Sequence, residues 1–298
     1  MPSSLIRGFL PPLRFARIET GMRAAELIHI VVFSFFISLA RIRALPLRRR
    51  AKVTGIGIAG LGATITATFL LPRLLPALAV SVVRDWLPAA LVLLVYWQAG
   101  EFFMKVDQRF QDQLERIDAR MVAPLLRCLS RRPVGMWIAA CLELAYLLCY
   151  PMIPMSIGTL YLLRLARYAD SFWTVVLVST YLSYAALPFL QTLPPRMLAE
   201  PWLEPLPPTS VRRFNLWILR HASIHANTFP SAHVAASTGA ALVLTSLAPW
   251  PVGLAFLAIA VGIAVGTFAG RYHFAADAVA GSAVAAIVFL VTSCFRAF

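Results

Sequence analysis

The chain has 298 residues, 60% of them hydrophobic and 13% charged, with a mean hydropathy of +0.76. That composition excludes a soluble globular domain and defines an integral membrane protein. The net charge of +14 comes from 25 arginines and two lysines crowded into loops between apolar stretches, where anionic lipid head groups and topology account for it without any nucleic-acid partner.

In chain order, "ELIHIVVFSFFISLA" at 26–40 is a short apolar stretch ahead of "RIRALPLRRR". Since many spans follow, it reads as an uncleaved anchor or a shallow interfacial helix rather than a signal peptide, and its His29 reads as structural. Membrane-length stretches near 53–72, 86–104, 136–158, 172–190, 232–248, 252–268 and 275–294 predict seven spans. Residues 1–105 thus form a unit of N-terminal spans with an Arg-rich loop, which offers no catalytic constellation and serves as scaffold. Around 106–134 the apolar Phe103, Val106, Phe110, Leu114, Ile117, Met121 and Leu125 recur at steps of three and four between charged residues. This predicts an amphipathic helix along the membrane surface or over the bundle, with a soluble connecting helix as the alternative.

Residues 135–298 form the third unit, the catalytic membrane domain. After Leu190 it turns polar and Pro-rich, which argues against a long helix. Arg212 and Arg213 there read as head-group contacts, and His221 and His225 as solvated or hydrogen-bonded loop histidines. The cysteines, Cys128, Cys141, Cys149 and Cys294, have no paired CxxC spacing, so neither a zinc site nor a disulfide framework is expected.

Two polar motifs stand at the edges of the last spans. "NTFPSAHVAAS" brings His233 to the start of one; a second span returns, and "GTFAGRYHFAADAVAG" brings Arg271, His273 and Asp277 to the start of the third. Span parity therefore places both histidines on one side. His273 and Asp277 are four apart, so on a helix the carboxylate shares the imidazole's face and can fix its tautomer. Ionisable residues so close to a span are costly and mark function by default. Two histidines, an aspartate and arginines suit phosphoryl transfer through a phosphohistidine: one imidazole attacks phosphorus, the other protonates the departing oxygen, and guanidinium groups neutralise the remaining oxygens. The proline and serine before His233 begin its helix, whose free amides, with the Ser231 hydroxyl, can hold phosphate.

These residues resemble a known family. "FPSAHVAAS" is similar to the PSGH motif, and "RYHFAADAVAG" to the HxxxD end of the last motif, of the type 2 phosphatidic acid phosphatase superfamily. With "LPPR", they look most like the branch that includes inositol phosphorylceramide synthases and many bacterial membrane phosphatases. The resemblance covers roughly 170–295. It implies an all-α, polytopic membrane bundle with a six-helix catalytic core, here extended by N-terminal spans, and a phosphorylated membrane lipid as substrate. It also implies no metal and no cofactor, with His273 as nucleophile, Asp277 as its partner and His233 as general acid. The chain departs from the family pattern in three places. No lysine follows Lys105, so Arg196 in "PPR" stands nearest the first motif; Ala232 replaces the glycine before the histidine; and Thr267 occupies the place of the last motif's arginine. A further turn of the helix ending near Phe268 would bring Arg271 onto the face of Thr267, where it would supply the missing phosphate contact.

The expected activity is hydrolysis of a phosphoester or pyrophosphate of a lipid. A lipid phosphotransferase, in which an alcohol replaces water, is the alternative within the same chemistry. A non-catalytic scaffold or transporter on the same fold is the alternative outside it. The expected location is a bacterial inner membrane. Sidedness draws on two opposed signals: 18 of the 27 basic residues fall on the catalytic side, which by charge is cytoplasmic, whereas the resembled family works on the outer face, the side expected here.

Overall fold

The computed structural model describes residues 21–122, 124, 135–198, 207 and 209–294. Cys128, Leu125 and the end of the expected 106–134 helix lie outside the described residues. The described residues form an all-helical bundle, as expected: α1 (Ala24–Ile42), α2 (Leu47–Ile65), a wide π turn (Thr66–Leu70) into α3 (Leu71–Leu74), α4 (Ala77–Gly100), α5 (Gln108–Met121), α6 (Gly135–Leu147), α7 (Met152–Leu162), α8 (Ala169–Ala186), α9 (Ser210–Ala222), α10 (Ala232–Leu247), α11 (Trp250–Ala269) and α12 (Ala275–Cys294). Among the described residues five helical units are long and apolar enough to cross a membrane: α1, α2 with α3, α4, α11 and α12. The pair α6 and α7, bent by 67°, brings them to six if it counts as one span; seven were expected, and α8 and the shorter α10 are not among these units.

Several span boundaries differ from the sequence reading, each for a physical reason. The stretch at 26–40 lies within a full 19-residue helix of spanning length. Helix α4 begins at Ala77 rather than near 86, because the charges that interrupt hydropathy at 84–85 are paired inside the fold. Asp85 takes Arg23 at 2.5 Å and the Tyr161 hydroxyl at 2.6 Å, and Arg84 takes Glu26 at 2.5 Å. The expected span at 136–158 is two helices, since Pro151 cannot extend the hydrogen-bond ladder of α6.

Contacts at the helix ends define two poles. At one, the backbone amides of Ala24 and Ala25 donate to Asp170 at the start of α8. At the other, Arg43 lies over the Phe189 ring, Arg49 donates to the Phe103 carbonyl, and Gln191 Oε1 accepts from the amides of Met104 and Lys105. The second pole gathers the loop after α1, the loop after α4 and the loop after α8. Helix α8 is buried along almost its whole length and forms the axis of the bundle. The outer faces of the spanning helices carry exposed Val31, Ile58, Leu93, Val261 and Leu290, the surface that lipid tails cover.

Close approach between helices rests on small residues, as is common in membranes. A Cβ on Gly266 of α11 would stand 2.5 Å from the Leu142 carbonyl of α6. A Cβ on Gly281 of α12 would stand 2.6 Å from the Ser231 carbonyl, so glycine there lets α12 close on the start of α10. That approach brings the two histidine motifs together.

Amphipathic α5 settles over the second pole rather than connecting through solvent. Its Phe110 ring meets Phe229 edge-on at 5.1 Å, and Gln111 accepts from the Leu193 amide at 2.9 Å. Buried Asp118 takes the Arg271 guanidinium at 2.6 Å and the Ala275 amide, the first of α12, at 3.0 Å.

Candidate active site

Each histidine is held by the end of a helix. Ser231 precedes α10 in extended conformation, and its amide donates to the Asp277 carbonyl at 2.9 Å, tying the start of α10 to α12. His233 is the second residue of α10, half-buried, and its carbonyl accepts from the Ser237 hydroxyl. On the other strand of the site, α11 ends at Ala269, and the Thr267 carbonyl accepts from the amides of both Tyr272 (2.9 Å) and His273 (3.2 Å). Asp277 lies in the first turn of α12, fully buried. Its Oδ2 sits 3.3 Å from His273 Nδ1 and accepts from the Phe274 amide at 2.9 Å.

The two imidazoles face one another, with ring centroids 6.1 Å apart and planes at 77°. They open into one pocket, lined also by Arg196, Thr228 and the tyrosines Tyr96, Tyr146, Tyr184 and Tyr272. Tyr146 stacks on Tyr272 at 3.7 Å and meets His233 edge-on at 6.2 Å, so the aromatic wall fixes one side of the His233 ring. Arg196 follows the isolated bridge between Thr192 and Asn227. Its amide donates to the Arg271 carbonyl at 2.9 Å and its guanidinium to the Tyr272 carbonyl at 3.2 Å.

Burial, and then the Arg196 charge, push the His273 imidazole down to about 3, which keeps it neutral at ordinary pH. Burial likewise lowers the Arg196 guanidinium, since desolvation disfavours its charged form. The Asp118 carboxyl is raised by burial against the opposing pull of Arg271.

The sequence-predicted residues divide into two groups. His233, His273, Asp277 and Arg196 come together as expected. Ser231 is adjacent but not part of the pocket wall: its amide is engaged by Asp277, and its buried hydroxyl has no hydrogen-bond partner. Arg271 also lies outside the pocket wall. The expected extra helical turn does not form, because Arg271 takes a left-handed φ of 62° after the helix has ended, and its side chain reaches Asp118. Arg212 lies outside the pocket wall and pairs with Glu143 of α6 at 2.6 Å. His29 is buried, with Nδ1 on the Ala25 carbonyl, as a structural residue would be. His221 Nδ1 likewise bonds the Trp217 carbonyl within its own helix. Among the described residues no three His, Cys, Asp or Glu side chains gather as a metal site.

Sequence reasoning missed Glu143, Asp118 and Tyr96. Glu143 receives Arg212, Asn215 and the Tyr272 hydroxyl and so docks α9 and the aromatic wall onto α6. An acid inside an apolar run was its available signal. Asp118 carried none, being one of several acids on an amphipathic helix. Tyr96 comes from the N-terminal unit read as scaffold: it lines the pocket, and its hydroxyl accepts from the Ile224 amide at 3.0 Å.

Facing imidazoles, one backed by a carboxylate and flanked by a guanidinium at the end of a spanning helical bundle, define a multispanning membrane protein with a polar pocket suited to an anionic group. The sequence model of the PAP2 superfamily matches residues 112–291, more than half of the chain, and the chain belongs to this superfamily. No curated protein and no solved structure matches it. Membership supports a phosphatase-type function on lipids in general terms.

Proposed function

We propose that the protein hydrolyses a phosphoester or pyrophosphate bond of a membrane lipid through a phosphohistidine on His273, without a metal ion or cofactor. The observation that carries this reading is the pair of imidazoles facing across one pocket, with Asp277 behind His273 and Arg196 beside it. In the Nδ1–H tautomer His273 donates to Asp277, leaving the Nε2 lone pair free toward the pocket. Nε2 bonds to phosphorus as the phosphorus–oxygen bond to the lipid breaks; the electron pair leaves with oxygen, which takes a proton from the His233 imidazolium. A phosphate dianion between the rings favours that imidazolium. Water then attacks phosphorus, His233 takes its proton, and the phosphorus–nitrogen bond returns its pair to His273 as inorganic phosphate leaves.

Arg196 takes the phosphate-binding role in this scheme, since its guanidinium lines the pocket; Ser231 and Arg271 support the loops around it. The branch resemblance through "LPPR" and "FPSAH" bears on the acceptor, which is water here and an alcohol in a phosphotransferase. We further propose a bacterial inner membrane with the pocket at the outer face.

Purified protein in lipid nanodiscs, given phosphatidate or a polyprenyl pyrophosphate with and without an added alcohol, tests this directly. Release of inorganic phosphate that persists in EDTA and falls with vanadate is expected. His273→Ala and His233→Ala should each lower kcat by roughly 1,000-fold or more, and Asp277→Asn by less. Phosphate appearing on the alcohol instead of in solution would replace the hydrolase with a transferase, and near-normal turnover in either histidine variant would end the assignment.

A further inference from the structure

The carboxylate behind His273 is held on one oxygen and open on the other. Oδ2 of Asp277 serves His273 and the Phe274 amide, while Oδ1 is buried without a partner among the close hydrogen bonds. Leaving a buried carboxylate oxygen unpaired is costly, and a carboxylate free to rotate would exchange the oxygen presented to His273.

The residue in place to prevent this is Asn227, six positions before His233 and fully buried. Its backbone is pinned, with the amide donating to the Thr192 carbonyl at 2.8 Å across the isolated bridge. Its side chain is pinned as well, Nδ2 donating to Thr192 Oγ1 at 3.0 Å. A carboxamide nitrogen carries two hydrogens, of which Thr192 takes one, and the side chain of Asn227 neighbours the Asp277 carboxylate. The loop that delivers His233 thus reaches the carboxylate that serves the other histidine.

We propose that Asn227 is a positioning residue for the His273–Asp277 pair: its carboxamide N–H holds the open oxygen of Asp277, so that the other oxygen stays on His273 Nδ1. Thr192 fixes the carboxamide in turn, giving a chain from Thr192 through Asn227 and Asp277 to His273. This inference rests on the phosphohistidine reading and adds to it a fourth member that acts through Asp277 rather than on substrate.

A double-mutant cycle tests it in nanodiscs with the full-length protein. Asn227→Leu, similar in size but lacking the N–H, should lower kcat roughly 10-fold or more with KM little changed, and should have almost no further effect in the Asp277→Ala background. An equal loss in both backgrounds, or a rise in KM alone, would overturn the positioning role. Histidine 15N spectra of the resting protein give a readout independent of turnover. The wild type should show the Nδ1–H tautomer of His273, and Asn227→Ser, the variant to use if Asn227→Leu fails to accumulate, should show a mixture. An unchanged tautomer in a folded Asn227 variant would also overturn the proposal. Full activity in Asp277→Ala would instead count against the phosphohistidine reading itself.

Discussion

His273, the nucleophile of the proposed mechanism, is shaped by burial as much as by its neighbours. Away from a protein an imidazole titrates near 6.5, and here burial and then the Arg196 charge lower it to about 3. A lowered histidine pKa means the neutral form prevails above that value, so the proposed nucleophile is neutral throughout the physiological range and is protonated only in strong acid. The expected result is that 15N spectra of His273 in the resting protein stay those of a neutral ring down to pH 5. Arg196→Met should move the midpoint upward, because it removes the second cause of the shift. A wild-type midpoint near 6.5 would show that the ring is solvated, contrary to its position in the fold. The candidate site residues were legible at this scale because they stand against the hydropathy of their surroundings. His233, His273 and Asp277 stand at the edges of apolar spans, where each is expensive to keep. Asn227 and Thr192 gave no such signal, since neutral polar residues in a loop are ordinary, and only their complete burial and their hydrogen bonds to each other mark them.

Helix α5 shows how an element outside the spans reaches the reacting groups. Its Asp118 joins two parts of the catalytic loop at once, the Arg271 side chain and the first amide of α12. Arg271 precedes His273 by two residues in a left-handed conformation, so the pair fixes the turn that presents the nucleophile. This latch and the phosphate contact make different demands. Asp118→Ala and Arg271→Ala should each lower thermal stability in detergent, since breaking a buried ion pair costs about 3–5 kcal/mol, and the double variant should lose much less than the sum. Arg196→Ala should leave the melting temperature nearly unchanged while reducing kcat roughly 100-fold, as loss of a transition-state charge contact does. If Arg271→Ala is fully stable and Arg196→Ala fully active, the two arginines have been given each other's roles. The amphipathic period of α5 was plain in the sequence, but periodicity tells only that a face is covered. Which loop covers it depends on a long-range pairing between Asp118 and residues more than 150 positions away, which no local pattern encodes. The same limit explains the early start of α4: hydropathy sees Arg84 and Asp85 as interruptions, and only their partners at the start of α1 and on α7 allow the helix to continue through them.

At the scale of the whole molecule the open question is which face of the membrane holds the pocket. The order of the helices fixes the relation between loops: the loop after α1, the loop after α4, α5 and the segment around α9 all meet at the pole that carries the two histidines. The sequence assigns 18 of the 27 basic residues to that side of the membrane, which by the positive-inside rule faces the cytoplasm. Several of these charges serve the fold directly: Arg49 binds carbonyls, Lys52 pairs with Glu101, Arg212 with Glu143 and Arg271 with Asp118. Their presence at this pole has a structural cause apart from topology, and the family resemblance favours the outer face. Single cysteines decide it. With Cys128, Cys141, Cys149 and Cys294 replaced, Ala44→Cys and Ser210→Cys place exposed thiols at the catalytic pole, and Arg73→Cys places one at the opposite pole. An impermeant maleimide added to intact cells should label Ala44→Cys and Ser210→Cys together and spare Arg73→Cys until the membrane is opened. The reverse pattern would keep the fold and put the pocket on the cytoplasmic face, so that the proposed lipid substrate would come from the inner leaflet. Labelling of Ala44→Cys and Ser210→Cys from opposite faces would break the helix order itself, and with it the assignment of a pocket shared between the N-terminal Tyr96 and the two histidines.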